Sequence, residues 1–191
     1  MTSVRFVPGE PSLTLGSYDF STLGLSKEEF FISGTAQSFA APEDTLGADG
    51  RWNVSAGDAA PFETRVVVVR PERERFSGTV IVEWLNVSAG IDASPDWNMT
   101  HREIIRSGHA YVGVSCQQVG VEGGPSLVGR DMSLKTLKPK RYASLKHPGD
   151  AFAYDIYTQI ARLLKSPAAA GLLGSLEPRY VLAVGESQSA T

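Results

Sequence analysis

The chain has 191 residues, of which 42% are hydrophobic and 20% are charged, and it contains a single cysteine. This composition excludes disordered, collagen-like and coiled-coil proteins, as well as an internal disulfide and a cysteine-based zinc site. Eighteen basic residues against 21 acidic residues give a formal charge of -3, which does not favour nucleic acid or an anionic membrane as a partner.

The start of the chain contains no apolar run typical of a signal peptide, and no segment approaches the roughly 20 apolar residues of a membrane span. We therefore expect a cytoplasmic protein that acts on a small molecule, with no nucleic-acid or membrane partner. No residue pattern indicates a metal or an organic cofactor, and none predicts the oligomeric state.

Residues 1–62 are rich in Gly, Ser, Pro and Asp between short apolar stretches, which predicts an irregular region at the edge of a single domain. Within this region, residues 29–33 have the composition of a first strand. Residues 41–61 contain several Gly, Pro and acidic residues, and we interpret them as a surface loop.

The core of the domain is expected over residues 63–191. Residues 64–70 and 79–85 are apolar on both faces, which is typical of strands covered by helices on both sides. Residues 94–108 begin with a capping serine followed by proline and end at a glycine, a pattern that predicts a helix. Residues 109–115 follow as the next strand, and this strand–helix–strand order builds parallel sheets.

The second part of the core repeats this alternation. Residues 150–165 carry apolar side chains at helical spacing and predict a covering helix. Residues 166–173 predict a shorter helical turn, and residues 180–184 predict a buried strand. The sequence therefore indicates an α/β fold with a mainly parallel sheet and covering helices.

The most informative motif is Gly-Glu-Ser-Gln-Ser at residues 185–189, directly after the last predicted strand. In a nucleophile elbow, a strand turns sharply into a helix and holds a serine in a strained backbone, with small residues on either side. Gly185 meets this requirement, and Ser189 stands where the usual pattern has glycine. The context predicts Ser187 as a nucleophile. The alternative is a structural turn or a phosphate site at the following helix N-terminus.

A serine nucleophile also needs amide donors that stabilise the oxyanion. The amide of Gln188 is one candidate, because the residue after the nucleophile supplies a donor in this arrangement. The second donor is expected in the loop at residues 86–90, at Asn86 or Val87, where small neighbours permit close approach of the backbone. The alternative for this loop is an ordinary turn that only joins a strand to a helix.

The general base is not evident in the chain. In this arrangement a carboxylate and then a histidine follow the serine, but neither occurs among the four residues after Ser187. His101, His109 and His147 all precede the serine. Each is more typical of a structural position, although the chemistry by itself permits another order along the chain.

Two further features have a structural interpretation. Glu83 lies in an otherwise apolar strand, and because a buried carboxylate needs a partner, we expect it to pair with an arginine or a lysine. The basic residues between positions 135 and 141 carry no interleaved tryptophan, tyrosine or phenylalanine, and we interpret them as a solvated loop.

Taken together, the motifs at residues 82–88, 95–97, 141–150, 154–156 and 185–190 resemble those of the bacterial α/β-hydrolase domain-containing proteins. The resemblance implies an α/β-hydrolase fold with Ser187 as nucleophile and Gln188 as an oxyanion amide. It also implies an acid and a histidine on the loops of later strands. Members of the family are considerably longer, so we expect the chain to be an N-terminal portion that ends just after the elbow.

The leading hypothesis is a serine hydrolase that cleaves carboxylic esters through an acyl-enzyme on Ser187. Because the acid and the histidine are expected beyond residue 191, the chain by itself is expected to be inactive. The alternative is a non-catalytic binding protein that retains the elbow for reasons of fold. Neither hypothesis identifies the substrate.

Overall fold

A computed structural model of the chain describes residues 2–41 and 51–190, so residues 42–50 of the expected surface loop lie outside the described part. The described residues form one six-stranded sheet with helices against it. The strands are β1 (Ser3–Val7), β2 (Leu25–Ala40), β3 (Ser55–Pro71), β4 (Thr79–Trp84), β5 (Ala110–Val114) and β6 (Tyr180–Gly185).

The helices lie mainly between the last three strands. The α-helices are α1 (Pro95–Arg106), α2 (Gln118–Glu122), α3 (Leu134–Leu137), α4 (Ala153–Leu164) and α5 (Ala170–Leu173). Short 3-10 turns occur at Ser21–Leu23, Arg73–Arg75, Asp150–Phe152, Pro167–Ala169 and Ser187–Ser189. Among the helices in the described ranges, none has the length and apolar character needed to cross a membrane.

The sheet has the strand order β1-β2-β3-β5-β4-β6, and its two halves differ in direction. The strands β5, β4 and β6 pair in parallel. Strand β4, helix α1 and strand β5 are the expected unit in which a crossover helix joins two parallel strands. The other half, from β1 to β5, is antiparallel. The α/β class indicated by the sequence is confirmed.

The expectation of irregular structure before residue 62 is wrong for much of this region. Strand β2 has 16 residues and strand β3 has 17, and the two pair as one long hairpin. The expected strand at residues 29–33 is only the middle of β2, and residues 55–61 of the expected loop belong to β3. The outer part of the hairpin is largely exposed, so it lacks the alternation of apolar and polar residues by which a half-buried strand is recognised.

This outer part, residues 33–40 and 55–63, is hereafter called the arm. Val114, at the end of β5, pairs with Val66, so the β3 residues that precede Val66 extend past the edge where the parallel strands end. The arm contacts α4. The backbone amide of Gln37 donates to Asp155 Oδ2 at 2.8 Å, and Gln159 Nε2 donates to the carbonyl oxygen of Thr35 at 2.8 Å. The arm therefore lies on the same side of the sheet edge as the elbow.

The hydrophobic core lies on both faces of the sheet, as the apolar strands indicate. One face packs against α4 and α5, and the other packs against α1. Strand β6 is the exception, because it forms one edge of the sheet among the described residues. Tyr180 and Leu182 are 62% and 49% exposed, so the prediction of a buried strand at residues 180–184 is wrong.

Candidate active site

The serine of the Gly-Glu-Ser-Gln-Ser motif lies where β6 meets the 3-10 turn Ser187–Ser189. Ser187 has a φ of 57°, and it is the one residue other than glycine with a positive φ among the described residues. This left-handed conformation is sterically unfavourable for a serine. Strain of this kind is typical of turns at functional sites. The strained backbone expected of the motif is therefore present.

Gly185 permits this turn for a steric reason. A Cβ atom at Gly185 would lie 2.1 Å from the carbonyl oxygen of Ser189, so no side chain fits between the strand end and the turn. The turn is closed by two backbone hydrogen bonds, from Ser189 N to Glu186 O at 3.1 Å and from Ala190 N to Ser187 O at 3.0 Å. These contacts between neighbouring residues close the turn.

The structure brings the loop after β4 against this turn. Asn86 Nδ2 donates to the carbonyl oxygen of Glu186 at 3.1 Å, and Asn86 Oδ1 accepts from the amide of Ser88 at 2.9 Å. The backbone amide of Asn86 is already engaged, because it donates to the carbonyl oxygen of Ala93 at 2.9 Å. Among the described residues, the amide of Val87 has no such backbone acceptor.

The side chain of Gln188 is tied to the end of a neighbouring strand. Gln188 and Gln117 form a reciprocal amide pair with distances of 2.9 and 3.0 Å. The indole Nε1 of Trp84 donates to Gln117 Oε1 at 3.0 Å. No sequence motif indicates Gln117 as a site residue. Its position shortly after β5 was the available signal, since the carboxyl ends of parallel strands meet at one edge of the sheet.

A buried ion pair connects the loop after β4 to the sheet. The guanidinium of Arg65 donates to Asp92 Oδ2 at 2.6 Å, and its Nε donates to Ser115 Oγ at 2.9 Å. Arg65 and Asp92 are both buried. This pair, which sequence analysis did not identify, joins β3 and the end of β5 to the loop that carries Asn86.

Glu83 has a different role from the expected ion pair. Its carboxylate accepts the backbone amides of Asp96 and Trp97 at 2.9 and 3.1 Å, and the hydroxyl of Tyr111 at 2.6 Å. It therefore caps the N-terminus of α1, where backbone amides lack partners within the helix. The expectation of an arginine or lysine partner is wrong, because the N-terminal amides of α1 occupy the carboxylate at this end of β4. Burial raises the pKa of Glu83 to about 7.

The three histidines form hydrogen bonds away from the elbow. His101 Nδ1 lies 3.1 Å from the carbonyl oxygen of Trp97, and His109 Nδ1 lies 2.7 Å from Ser77 Oγ. His147 Nε2 lies 2.7 Å from the carbonyl oxygen of Cys116, and its Nδ1 accepts from the amide of Gly149. Burial lowers the pKa of His147, which favours a neutral ring in a structural position.

A cavity of about 460 Å³ adjoins the elbow. It is lined by Trp84 and Tyr157 on one side, by Asp96, and by residues 183–185, 189 and 190. Burial, and then the negative charge of Glu186, raise the pKa of Asp96. The cavity therefore combines aromatic walls with one carboxylate of raised pKa next to the strained serine.

A comparison with protein-family models agrees with the resemblance drawn from the motifs. A family model described as an alpha/beta hydrolase domain matches residues 4–191. Among solved structures, a CE15 glucuronoyl esterase from Teredinibacter turnerae T7901 is similar at 14% sequence identity with a TM-score of 0.37. The match covers 98% of this chain and 40% of that protein. No curated protein matches the chain.

Proposed function

The chain belongs to the alpha/beta hydrolase domain family, and from this membership we propose that it carries the nucleophile of a serine hydrolase acting on carboxylic esters. The observation that carries the proposal is the backbone of Ser187, which has a φ of 57° at the junction of β6 and a 3-10 turn. A fold that tolerates this strain at a serine, with Gly185 giving the room for it, is typical of a nucleophile elbow.

In the proposed reaction, Ser187 Oγ attacks the carbonyl carbon of the ester while its proton passes to a general base. The tetrahedral intermediate then collapses, the bond to the alcohol oxygen breaks, and the base returns the proton to the leaving alcohol. Water attacks the acyl-enzyme by the same route, which releases the acid and restores the serine.

The proposed oxyanion donors are the amides of Gln188 and Val87. The amide of Gln188 follows the nucleophile directly, and its side chain is held by Gln117. Val87 is favoured over Asn86 because the amide of Asn86 already donates to Ala93. We assign Asn86 a positioning role, since its side chain joins the loop to the elbow through the carbonyl oxygen of Glu186.

The general base and its acid are proposed to come from outside these 191 residues. The hydrogen bonds of His101, His109 and His147 do not lead to Ser187, and a base must lie within hydrogen-bond reach of the proton it takes. The 191-residue chain by itself is therefore proposed to lack turnover. The same observation supports the second candidate, a binding protein on an α/β-hydrolase scaffold.

A fluorophosphonate probe separates these two functions. In the natural-length protein we expect the probe to form a covalent adduct on the peptide containing Ser187, located by mass spectrometry, and Ser187→Ala abolishes it. Ser189→Ala is the matched control, because it removes a neighbouring hydroxyl and should retain labelling. Absence of an adduct on Ser187 in folded protein would refute the serine hydrolase and favour the binding protein.

A further inference from the structure

Four aromatic side chains lie together beside the end of β4. The ring centroid of Trp84 is 5.3 Å from that of Tyr154 and 5.2 Å from that of Tyr157. Trp52, in the segment that leads into β3, lies 6.3 Å from Tyr154 at an interplanar angle of 84°. These separations are those of aromatic contact. The four rings, contributed by three separate parts of the chain, are hereafter called the aromatic cluster.

The aromatic cluster is continuous with the elbow. Trp84 lies opposite Gly185 in the register of β4 and β6, and its indole reaches Gln188 through the side chain of Gln117. The cavity of about 460 Å³ lies between the rings of Trp84 and Tyr157 and the residues around the elbow. A substrate whose reacting carbonyl lies at Ser187 therefore has the cluster as a neighbour for an adjoining group.

The exposed surface of the cluster is contributed by its two outer rings. Trp52 and Tyr154 are 37% and 47% exposed. The polar atoms of the inner rings are engaged within the protein, since Trp84 Nε1 donates to Gln117 and the hydroxyl of Tyr157 donates to the carbonyl oxygen of Val82 at 2.6 Å. A bound sugar requires polar protein groups around it, whereas an aromatic ring of a ligand can be bound by the faces and edges of aromatic side chains.

The charge near the cluster also limits the ligand. The carboxylate of Asp96 lines the adjoining cavity, and Glu186 lies close enough to raise the pKa of Asp96 by its charge. These two acidic groups disfavour an anionic substituent beside the cluster, because like charges repel. An uncharged ring meets this condition.

Resting on the proposed serine-hydrolase function, we propose that the aromatic cluster is a binding subsite for an uncharged aromatic ring carried by the ester substrate. Trp52 and Tyr154 supply the exposed contact surface, and Trp84 and Tyr157 form the fixed wall behind it. Edge-to-face and stacked ring contacts contribute a few-fold to about tenfold in affinity beyond the area they bury.

The test is equilibrium binding in a protein that cannot turn the ester over. In the natural-length Ser187→Ala variant, 4-nitrobenzyl acetate should quench the tryptophan fluorescence saturably, because a nitroaromatic ring quenches an indole that it contacts. Trp52→Leu and Tyr154→Leu, each added to this variant, should raise the Kd by about three- to tenfold. Hexyl acetate, which has no ring, should compete only at concentrations at least tenfold higher.

The matched control is Phe6→Leu, which removes a 53% exposed ring from β1 at the opposite end of the sheet and should leave the Kd unchanged. The subsite is refuted if both leucine variants bind like their parent while circular dichroism shows them folded, or if hexyl acetate competes as well as the nitrobenzyl ester. Fluorophosphonate labelling of the parent protein is independent. A protein that binds the ring but is not labelled at Ser187 refutes the proposed function alone.

Discussion

Glu83 connects the stability of the domain to pH, and replacement of this residue by glutamine tests the connection. Its carboxyl group is fully buried, and its pKa rises from the ordinary value of 4.5 to about 7. Burial is the largest cause, and it is opposed by the hydrogen bonds from Tyr111, Asp96 and Trp97. The folded protein therefore keeps a proton on Glu83 at pH values where the unfolded chain has lost it.

The sign of the effect follows from this difference in bound protons. Below pH 4.5 both states are protonated and the contribution of Glu83 is fully present. As the pH rises to 7, it is lost, and above 7 the free energy of unfolding no longer changes through this group. The rise of the Glu83 pKa from 4.5 to about 7 therefore changes the free energy of unfolding by about 3 kcal/mol, at about 1.36 kcal/mol for each pH unit.

The assay is urea unfolding, followed by circular dichroism at intervals between pH 4.5 and 8.5, for the parent protein and Glu83→Gln. The difference between the two curves isolates Glu83, because Asp96 and His147 are present in both proteins. This subtraction matters, since burial raises the pKa of Asp96 and lowers that of His147, and the two contributions have opposite slopes. Glu177→Gln, at an exposed glutamate, is the control and should leave the slope unchanged.

We expect the stability of the parent to fall, relative to Glu83→Gln, by about 3 kcal/mol as the pH rises from 4.5 to 7. Curves that stay parallel throughout this range would contradict this expectation, because Glu83 would then lose its proton at the same pH in the folded and the unfolded protein. A relative slope of the opposite sign would show that the hydrogen bonds to the carboxylate outweigh its burial.

Three further predictions concern the elbow and its support. Gly185→Ala should abolish fluorophosphonate labelling of Ser187, because the new methyl group would lie 2.1 Å from the carbonyl oxygen of Ser189; labelling at the parental rate would contradict this. Asn86→Ala should slow labelling about tenfold while costing about 1–2 kcal/mol in unfolding free energy, since it removes the hydrogen bonds to the carbonyl oxygen of Glu186 and the amide of Ser88. A purely structural role would lower the stability without slowing the labelling of folded protein. Arg65→Met should lower the free energy of unfolding in urea by about 3–5 kcal/mol, because Asp92 would stay buried without its partner; a loss below about 1 kcal/mol would contradict this.

Features with local causes could be predicted from the sequence. The helix expected at residues 94–108 is found as α1. The apolar run at residues 64–70 lies within β3, and the run at residues 79–85 forms β4 except for its last residue. The strain at Ser187 was also predictable, because it depends on the sterics of a few adjacent residues, with Gly185 as the essential one. The motifs were specific enough to indicate the family that the comparison confirmed.

Contacts between residues far apart in the chain depend on the tertiary arrangement and could not be predicted. Glu83 caps α1 instead of pairing with a base, because the helix end is placed against the end of β4. Gln117 meets Gln188 because β5, β4 and β6 end at the same edge of the sheet.

The arm is the clearest example of a structure that the sequence pattern does not predict. Apart from Ala36 and Phe62, which belong to the core, its residues are exposed or half-buried. Its formation therefore depends largely on pairing between the two strands and on contacts with α4. Sequence patterns report burial, because burial selects residue types at regular spacing. Backbone pairing between exposed segments leaves no such pattern, and the position of the arm beside the elbow was therefore visible only in the folded chain.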